Sequence, residues 1–271
     1  MAKLQTGHAP VNNTQLYYEI QGKGDPLVLL HAGLVDCRMW DEQFSVLAEH
    51  YQVIRYDAQG FGQSSAANGR YAHYQNLAAL LDYLHITSAH LLGCSLGGRA
   101  VLDCALEYPH LVRSLICVDT GMSGYHFVDP FVQTTGEEIG QALAAGNIDL
   151  AAERIVRAWF DGPQRTPQQT NSPTRQKVLA MAQQQLRRPH EDTSGAYEAT
   201  PPAVERLAQI KVPTLAVIGD LDASDIQTMT NLIVQQVPGA QKTTVANAGH
   251  LPNMEQPQQF NRLIVDWLAA V

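Results

Sequence analysis

The stretch that decides the fold is residues 89–106, which read AHLLGCSLGGRAVLDCAL. The apolar run Ala89–Leu92 predicts a buried strand, and the residues from Gly98 onward predict a helix. The turn between them is the pentapeptide Gly93-Cys94-Ser95-Leu96-Gly97, a G-x-S-x-G pattern. A serine on a sharp turn from a buried strand into a helix is a candidate nucleophile.

The glycines of this turn have a mechanical role. A turn this tight needs strained backbone angles and a close approach of strand to helix, and glycine allows both without a side-chain clash. The helix that follows directs free N–H groups toward Ser95, which suits a negatively charged intermediate. A short pattern with two free positions also arises by chance, and the serine is then an ordinary turn residue. The functional interpretation of Ser95 therefore depends on partners elsewhere in the chain.

The composition argues against several classes of protein. The chain has 271 residues, of which 45% are hydrophobic, enough for one large core or for a core with an insertion. Its formal net charge of −8 argues against binding nucleic acid or an anionic membrane. The sequence has no run of 18 apolar residues and no apolar leader, and most of its four cysteines fall in predicted strands or helices. We therefore expect a cytoplasmic protein with buried thiols rather than a disulfide framework.

Short apolar runs recur along the chain and predict a sheet. Strands alternating with helical patterns imply right-handed crossovers and a mostly parallel sheet that helices cover on both faces, so the fold class is α/β. Leu16–Ile20 alternates weakly, and we expect it to form an edge strand. The other predicted strands are Pro26–His31, Tyr51–Asp57, Ala89–Cys94, Ser114–Asp119, Pro213–Gly219 and Gln241–Val245.

One interval of the chain contains helical patterns but no strand. Between Met122 and Leu207 the sequence predicts helices over Glu137–Ala145, Ile148–Phe160 and Thr174–Arg187. A single crossover of three helices is longer than typical connections. We therefore expect a helical cap inserted between two late strands. The predicted domains are one core, residues 1–121 and 208–271, and a cap insertion, residues 122–207.

The best candidate for a general base is His250, which follows Gly249 just after the last predicted strand. A serine hydroxyl is a weak nucleophile at neutral pH, so it needs such a base and a third group that orients the base. In open parallel sheets these groups gather at the carboxyl ends of the strands. A histidine base acts in its neutral form, so activity should rise with pH through the ordinary histidine range, about 6 to 7.

Four aspartates that follow predicted strands are candidates for the orienting acid. We favour Asp222, because two residues past the strand end let a carboxylate turn across the sheet toward the histidine loop. Asp220 better fits a turn-capping role, and Asp225 an N-cap for the helix that starts near Ile226. Asp119 ends the preceding strand. Spacing alone separates the four only weakly.

An oxyanion hole needs two backbone N–H groups aimed at one point. The residue after the nucleophile, Leu96, supplies one of them. The second should come from the loop after the first buried strand, where Gly33 lets a backbone N–H face the site without an intervening side chain.

Taken together, these residues resemble the α/β-hydrolase fold superfamily. Ser95, Asp222 and His250 occur in that family's chain order. The resemblance covers nearly the whole chain and implies an α/β-hydrolase sheet with a cap. Four further segments are similar to family motifs: His31-Ala32-Gly33 to the H-G-x oxyanion segment, Asp57–Ser64 to D-x-R-G-x-G-x-S, Gly219–Asp222 to the G-x-x-D acid turn, and Gly249-His250 with Glu255–Pro257 to the G-H…E-x-P ending.

The chain departs from the family pattern at two positions. Ala32 stands where a glycine is usual, and Gln59 stands where an arginine is usual, so any ion pair of that arginine is absent. The nucleophile is serine rather than aspartate, which argues against the epoxide hydrolases and haloalkane dehalogenases that share the capped fold.

The resemblance implies a serine hydrolase that cleaves a small ester, lactone or related carbonyl compound through an acyl-enzyme. Carbon–carbon bond hydrolysis and cofactor-free perhydrolysis use the same triad, and some proteins of this fold are small-molecule receptors, so these alternatives stay open. We expect a small molecule as the partner. The expected pocket residues are Leu34, Tyr125, Phe127, Phe131 and Trp159, although aromatic residues of a cap also serve simply to join it to the core.

The sequence predicts neither a metal site nor a cofactor. It has no H-E-x-x-H pattern and no cluster of histidines and cysteines at metal-binding spacing. It also has neither a G-x-G-x-x-G nor a G-K-[ST] loop, which argues against nucleotide binding.

Overall fold

The computed structural model describes residues 4–33, 35–66, 69–170, 172–188 and 195–271. Eight strands lie within these ranges and form one sheet. They are β1 Gln5–Val11, β2 Thr14–Gln21, β3 Pro26–Leu30, β4 Gln52–Tyr56, β5 Ala89–Cys94, β6 Val112–Val118, β7 Thr214–Gly219 and β8 Gln241–Val245. Their order in the sheet is β1-β2-β4-β3-β5-β6-β7-β8. Strands β1 and β2 pair antiparallel, as do β2 and β4, and the other five pairings are parallel. The predicted α/β class with a mostly parallel sheet is confirmed.

The edge of the sheet differs from the sequence prediction. The edge strand is β1, which the sequence did not predict, and β2 lies between β1 and β4 rather than at the edge. Strand β1 contains Gly7 and Pro10 and has no apolar alternation along most of its length, so its pattern is weak. Proline is tolerated at such an edge because one side of the strand makes no ladder bonds. At the opposite edge lies β8.

Alternation along the central strands divides the core into two layers. In β3, Leu27 and Leu29 belong to one buried cluster, whereas Val28 and Leu30 belong to the other. Successive side chains of a strand point to opposite faces, so an all-apolar strand must be covered on both sides.

Nine helices lie within the described ranges. They are α1 Asp41–Leu47, α2 His73–Tyr83, α3 Leu96–Glu107, α4 Pro130–Ala144, α5 Ile148–Val156, α6 Pro173–Leu186, α7 Ser224–Gln236, α8 Pro252–Glu255 and α9 Pro257–Leu268. Residues of α2, α3 and α7 pack against one face of the sheet, and residues of α1 and α9 pack against the other. None of the helices in the described part of the chain is long and apolar enough to cross a membrane.

Helices α4, α5 and α6, here called the cap helices, lie between β6 and β7 in the chain, as the sequence predicted. Helix α5 continues into a π-helical turn, Arg157–Asp161. Their shared apolar cluster is small and consists largely of alanines. The division of the chain into a core and a cap domain at residues 121/122 and 207/208 stays a prediction.

Strand register brings the carboxyl ends of the central strands to one edge of the sheet. Gly93 of β5 pairs with Leu30 of β3 and with Cys117 of β6, and Cys117 pairs in turn with Ala216 of β7. The loops that follow these four strands therefore begin side by side. Every candidate site residue from the sequence that follows a strand lies on one of these loops or on the loop after β8.

Candidate active site

Ser95 lies on a strained turn between β5 and α3. Its backbone φ is +52°, a value that non-glycine residues rarely adopt. Hydrogen bonds hold it there: its N–H donates to Val118 O at 3.0 Å, and its carbonyl accepts from the N–H groups of Arg99 and Gly121 at 2.9 and 3.0 Å. Strain of this kind persists where surrounding structure fixes it, and it concentrates at functional sites.

The glycines around Ser95 are required by close backbone contacts. A Cβ atom added to Gly93 would lie 2.2 Å from Gly97 O, and one added to Gly97 would lie 2.3 Å from Leu30 O. A Cβ on Gly98 would meet Thr120 Oγ1 at 2.1 Å. Because real Cβ atoms do not approach so closely, this turn packs against β3 and the loop after β6 only with glycine at these positions.

Asp222 and His250 form a buried pair at the same edge of the sheet. Asp222 Oδ2 lies 2.7 Å from His250 Nδ1, and both side chains are almost entirely shielded from solvent. Asp222 Oδ1 accepts a hydrogen bond from Ala223 N–H at 2.7 Å, which fixes the carboxylate on its loop. An acid on Nδ1 leaves Nε2 of the imidazole for a reacting group.

The other aspartates after β7 have different partners. Asp220 accepts from Ala248 N–H at 3.2 Å and so joins its own turn to the histidine loop. The expected N-cap role of Asp225 is wrong: the N-cap of α7 is Ala223, and it makes no side-chain cap bond. Asp225 instead accepts hydrogen bonds from Tyr125 Oη and from the N–H groups of Val128 and Asp129, so it holds the chain that enters α4.

Asp119 lies beside the Asp222–His250 pair. It follows β6 directly, is completely buried, and accepts a hydrogen bond from Gly219 N–H through Oδ1 at 2.9 Å. Burial and the adjacent Asp222 raise the pKa of Asp119 well above the ordinary aspartate value. The site therefore contains two buried carboxyl groups, whereas the sequence pointed to one acid among four candidates.

The histidine loop is fastened by residues from two directions. Glu255 Oε1 accepts from Gly249 N–H at 2.8 Å, and Glu255 Oε2 pairs with Arg165 Nη1 at 2.5 Å. Arg165 also donates to the backbone carbonyls of Phe160 and Asp161, at the end of the π-helical turn. No local sequence pattern marks Arg165, because its partner Glu255 lies 90 residues away in the chain.

Gly33 and Leu96 are the residues whose backbone N–H groups the sequence predicts for an oxyanion hole. Both line the cavity that contains Ser95, and among the described residues neither backbone N–H donates to another group. His31 stabilises the loop that carries Gly33: its Nε2 accepts from Ala58 N–H at 2.9 Å, and its Nδ1 lies 2.7 Å from Ala32 O. Leu96 is the first residue of α3, and a free N–H at a helix N-terminus suits a developing negative charge.

Gln59 is one of the two positions at which the chain departs from the family pattern given above. It is buried, and its Oε1 accepts a hydrogen bond from Asn76 Nδ2 at 2.7 Å. A neutral amide pair therefore stands in the place of the absent arginine.

Ser95 and His250 open onto one cavity of about 180 Å³. The cap helices and the turn after α5 supply part of its wall through Ile155, Trp159, Val178 and Ala182. The ring of Trp159 also packs in a tilted orientation against that of His250, with the two centroids 4.7 Å apart. The remaining described residues of the lining are Ala32, Gly33, Val35, Leu96 and Leu251.

Three of the five expected pocket residues lie elsewhere. Tyr125 donates to Asp225 at 2.9 Å, and Phe131 packs under the guanidinium of Arg157 at 4.6 Å. Phe127 is partly exposed and contacts the ring of Trp159 from outside the cavity. These side chains were expected in the pocket because they are aromatic, but they serve to join the cap to its surroundings. Leu34 lies outside the described residues.

Two clusters in the described ranges have the composition of a cation site, Asp36–Cys37–Asp57 and Asp119–Asp222–His250. In the first, Asp36 pairs with Arg38, and the two oxygens of Asp57 accept from the N–H groups of Cys37 and Gln63. In the second, Asp222 and His250 are joined by a hydrogen bond. All four cysteines are buried free thiols.

A serine at positive φ and a histidine bonded to a buried aspartate line one cavity at the carboxyl edge of a mostly parallel sheet. The chain belongs to the alpha/beta hydrolase family, whose model matches residues 27–263. Proteins of this family that resemble the chain are named as hydrolases, esterases and peptidases, and the protein is a hydrolase of this family.

Individual relatives cover nearly the whole chain. A 2-hydroxy-6-oxo-6-phenylhexa-2,4-dienoate hydrolase from Burkholderia cepacia is 25% identical over 96% of this chain and 93% of its own length. The crystal structure of a hydrolase from Pseudomonas aeruginosa PA01 is 27% identical, with a TM-score of 0.78 over 97% of this chain and 98% of that one. The enol-lactonase from Burkholderia xenovorans LB400 is 22% identical with a TM-score of 0.77, covering 97% of this chain and all of that one, and it shares the fold.

Proposed function

We propose that this protein hydrolyses small, uncharged carboxylic esters or lactones, with Ser95 as nucleophile, His250 as base and Asp222 as orienting acid. The observation that carries the proposal is that one cavity is lined by Ser95, by the Asp222-bound His250, and by Gly33 and Leu96, whose N–H groups donate to no other group among the described residues. Each part has a known chemical role in acyl transfer.

The reaction would proceed in two stages. Ser95 Oγ attacks the carbonyl carbon while His250 takes the hydroxyl proton and then returns it to the leaving alcohol. The N–H groups of Gly33 and Leu96 hold the oxyanion, and each such donor is worth roughly 3 kcal/mol in kcat terms. A water molecule, deprotonated by His250, then cleaves the acyl-enzyme and restores Ser95.

The cavity favours small neutral substrates. Apart from His250, its described lining consists of glycine, serine and apolar side chains, with no arginine or lysine to pair with a carboxylate. The Burkholderia cepacia relative acts, by its name, on a dienoate, which is an anion. A volume of about 180 Å³ is below the range of about 300–1,000 Å³ that is typical for larger ligands. A short acyl chain therefore fits this site better than a charged or bulky one.

The test uses 4-nitrophenyl esters of increasing acyl length together with a simple lactone and a hydroxy-oxo-dienoate. We expect kcat/KM to be highest for acetate or butyrate, to fall steeply by octanoate, and to be lowest for the dienoate. Preferential cleavage of the dienoate would contradict the proposed substrate class. A single turnover followed by stable labelling would instead support the receptor alternative.

Variants test the assigned roles. Ser95→Ala should lower kcat by about 10⁶-fold, the loss typical of a missing nucleophile, and Asp222→Asn should lower it by about 10⁴-fold, the loss typical of a missing acid. Asp220→Asn is a matched control, because the asparagine Oδ1 still accepts from Ala248 N–H, and its kcat should stay near that of the wild type. Full turnover by Ser95→Ala on every ester that the wild type cleaves would exclude Ser95 as the nucleophile.

A further inference from the structure

Asp119 and Asp222 place two carboxyl groups at the ends of adjacent strands. Asp119 is completely buried and Asp222 nearly so. One oxygen of each and a ring nitrogen of His250 all lie within 4.8 Å of one another. Two ionised carboxylates at this distance, away from water, repel each other strongly.

The hydrogen bonds around the pair leave one oxygen without a donor. Asp119 Oδ1 accepts from Gly219 N–H, and the two oxygens of Asp222 accept from Ala223 N–H and from His250 Nδ1. Asp119 Oδ2 is buried and has no donor among the residues that the structure describes. An ionised carboxylate has only acceptors, whereas a protonated one has an O–H to donate.

Among the described residues, the titratable groups that face Asp119 include no lysine and no arginine. The titratable groups that face it are Asp222 from the loop after β7, His250 from the loop after β8, Cys94 from β5 and Glu255 from α8. Glu255 is already paired with Arg165. Within the described ranges neither Asp119 nor Asp222 forms an ion pair with lysine or arginine. A proton is therefore the simplest way to relieve the repulsion.

The backbone holds Asp119 in place at a cost. Its φ is +39°, in a region that non-glycine residues seldom occupy, and its N–H donates to Val217 O at 2.9 Å. An oxygen of its side chain is tied to Gly219, the last residue of β7. Strained and fully buried carboxyl groups persist where the surrounding structure fixes them.

We propose that Asp119 is a positioning residue that keeps its proton and donates a hydrogen bond from its O–H to Asp222. The pair then carries a single negative charge, which stays on Asp222 and faces His250. This role rests on the proposed function, because it assigns Asp119 to the support of the Asp222–His250 pair. Asp119 makes no contact with substrate in this role.

Two substitutions of Asp119 distinguish a role as a hydrogen-bond donor from a role as a charged group. Asp119→Asn keeps an N–H to donate to Asp222 and an oxygen to accept from Gly219, whereas Asp119→Ala keeps neither. We expect Asp119→Asn to retain kcat within about threefold and Asp119→Ala to lose about tenfold, the fold-change that one lost hydrogen bond is worth, with KM little changed in both. Equal losses in the two variants, or full activity in Asp119→Ala, would overturn the proposal.

Two further measurements need no turnover, and they hold even where Asp119→Ala does not fold. The infrared difference between wild type and Asp119→Asn at pH 7 should contain the C=O band of a protonated carboxylic acid in the wild type. The free energy of unfolding of the wild type should also fall relative to Asp119→Asn as pH rises above the ordinary aspartate range, because only the wild type must take up a proton to fold.

The two proposals fail in different ways. Absence of the carboxylic acid band, or a divalent cation in the purified protein bound by Asp119, Asp222 and His250, would overturn the protonated pair even where the esters are cleaved. Presence of the band in a protein that cleaves none of the esters would leave the protonated carboxyl in place and overturn the proposed hydrolysis instead.

Discussion

The core and the cap helices are held together by different kinds of contact. The core buries large aliphatic and aromatic side chains in two clusters on the faces of the sheet. The cap cluster has six fully buried members, of which four are alanines: Ala142, Ala151, Ala152, Ile155, Ala182 and Leu186. Instead, Arg175 lies between Asp161 and Glu153 in the cap, and Asp225 and Asp129 bind the entry of α4 to the start of α7.

Because of this difference in packing, the proposed reacting groups and part of the pocket wall are held by different kinds of contact. The nucleophile turn depends on backbone contacts that admit only glycine, so its geometry belongs to the sheet. The cap helices supply part of the cavity wall, and their stability depends on directional polar contacts that a single substitution can remove. The groups proposed to react are therefore held by the core. The residues proposed to select the substrate lie partly in the cap helices, which are packed less securely.

The largest expected effect on stability is loss of the buried ion pair in the cap. Arg175 donates twice to Asp161, which is completely buried, at 2.9 Å for both contacts. Arg175→Met should destabilise the cap helices by about 3–5 kcal/mol, because it leaves a buried carboxylate without its counter-charge. Hydrogen exchange should show faster exchange in α5 and α6 while the amides of β5 and β6 remain protected.

The matched control for this variant is the exposed pair of Arg187 and Asp149, at the other end of α6. Arg187→Met should cost less than about 1 kcal/mol, since exposed pairs are screened by water. Equal costs for the two variants would show that the cap does not depend on its buried ion pair.

The next effect concerns the core. Gly97→Ala would place a Cβ 2.3 Å from Leu30 O and 2.7 Å from His31 O, both of them backbone atoms. We expect a loss of about 1–3 kcal/mol in the free energy of unfolding. We also expect a loss of about a hundredfold in kcat on the best ester, because the turn that carries Ser95 must shift. Chemical denaturation and steady-state kinetics measure the two losses, and wild-type kcat in this variant would contradict the required close contact.

A smaller effect is expected at the junction of the core and the cap. Asp103 of α3 accepts a hydrogen bond from Ser123 Oγ at 2.6 Å, and burial raises the pKa of Asp103 from 3.8 to about 6. Folding therefore takes up a proton at Asp103 between these values, and stability falls as pH rises from about 4 to about 6.

Comparison with Asp103→Asn isolates this contribution, because the amide oxygen still accepts from Ser123 and does not titrate. Relative to this variant, the wild type should lose roughly 1–2 kcal/mol of unfolding free energy between pH 4 and pH 6. A difference between the two proteins that does not vary over this interval would contradict the raised pKa.

The smallest expected effect is a gain. Gly136 and Gly140 lie inside α4, and beyond the local backbone of the helix no heavy atom of the described residues lies within 4 Å of a Cβ added at either position. Gly136→Ala and Gly140→Ala should each stabilise the cap helices by about 0.5–1 kcal/mol, because alanine loses less backbone entropy in a helix. Thermal denaturation measures the gain, and destabilisation by either variant would show that α4 is packed more tightly than its contacts indicate.

Local sequence patterns predicted the parts of the fold that local physics determines. The buried strands are continuous apolar runs, and the turn at Ser95 carries its own glycine signature, so both were found without homologous sequences. Ser95, Asp222 and His250 each follow a predicted strand, and the carboxyl ends of parallel strands meet at one edge of the sheet. Their grouping at that edge was therefore also predictable.

Contacts between distant segments were not predictable in this way. The partners of Asp225 are about 96 to 100 residues away, and Arg165 reaches Glu255 across 90 residues. Asp119 lies close to Asp222 because β6 and β7 are neighbours in the sheet, although the whole cap insertion separates them in the chain. Strand β1 was missed because its pairing with β2, rather than its own composition, makes it a strand.

The contact between Trp159 and His250 has an optical consequence. The other two tryptophans are buried away from the cavity, Trp40 against Phe260 and Trp267 beside Gln241. Indole emission is quenched by a neighbouring imidazolium, so Trp159 at 4.7 Å from His250 makes part of the intrinsic fluorescence sensitive to the charge on that ring. The protein therefore carries a built-in probe with which protonation of His250, and any change in its contact with Trp159, can be followed in solution without a label.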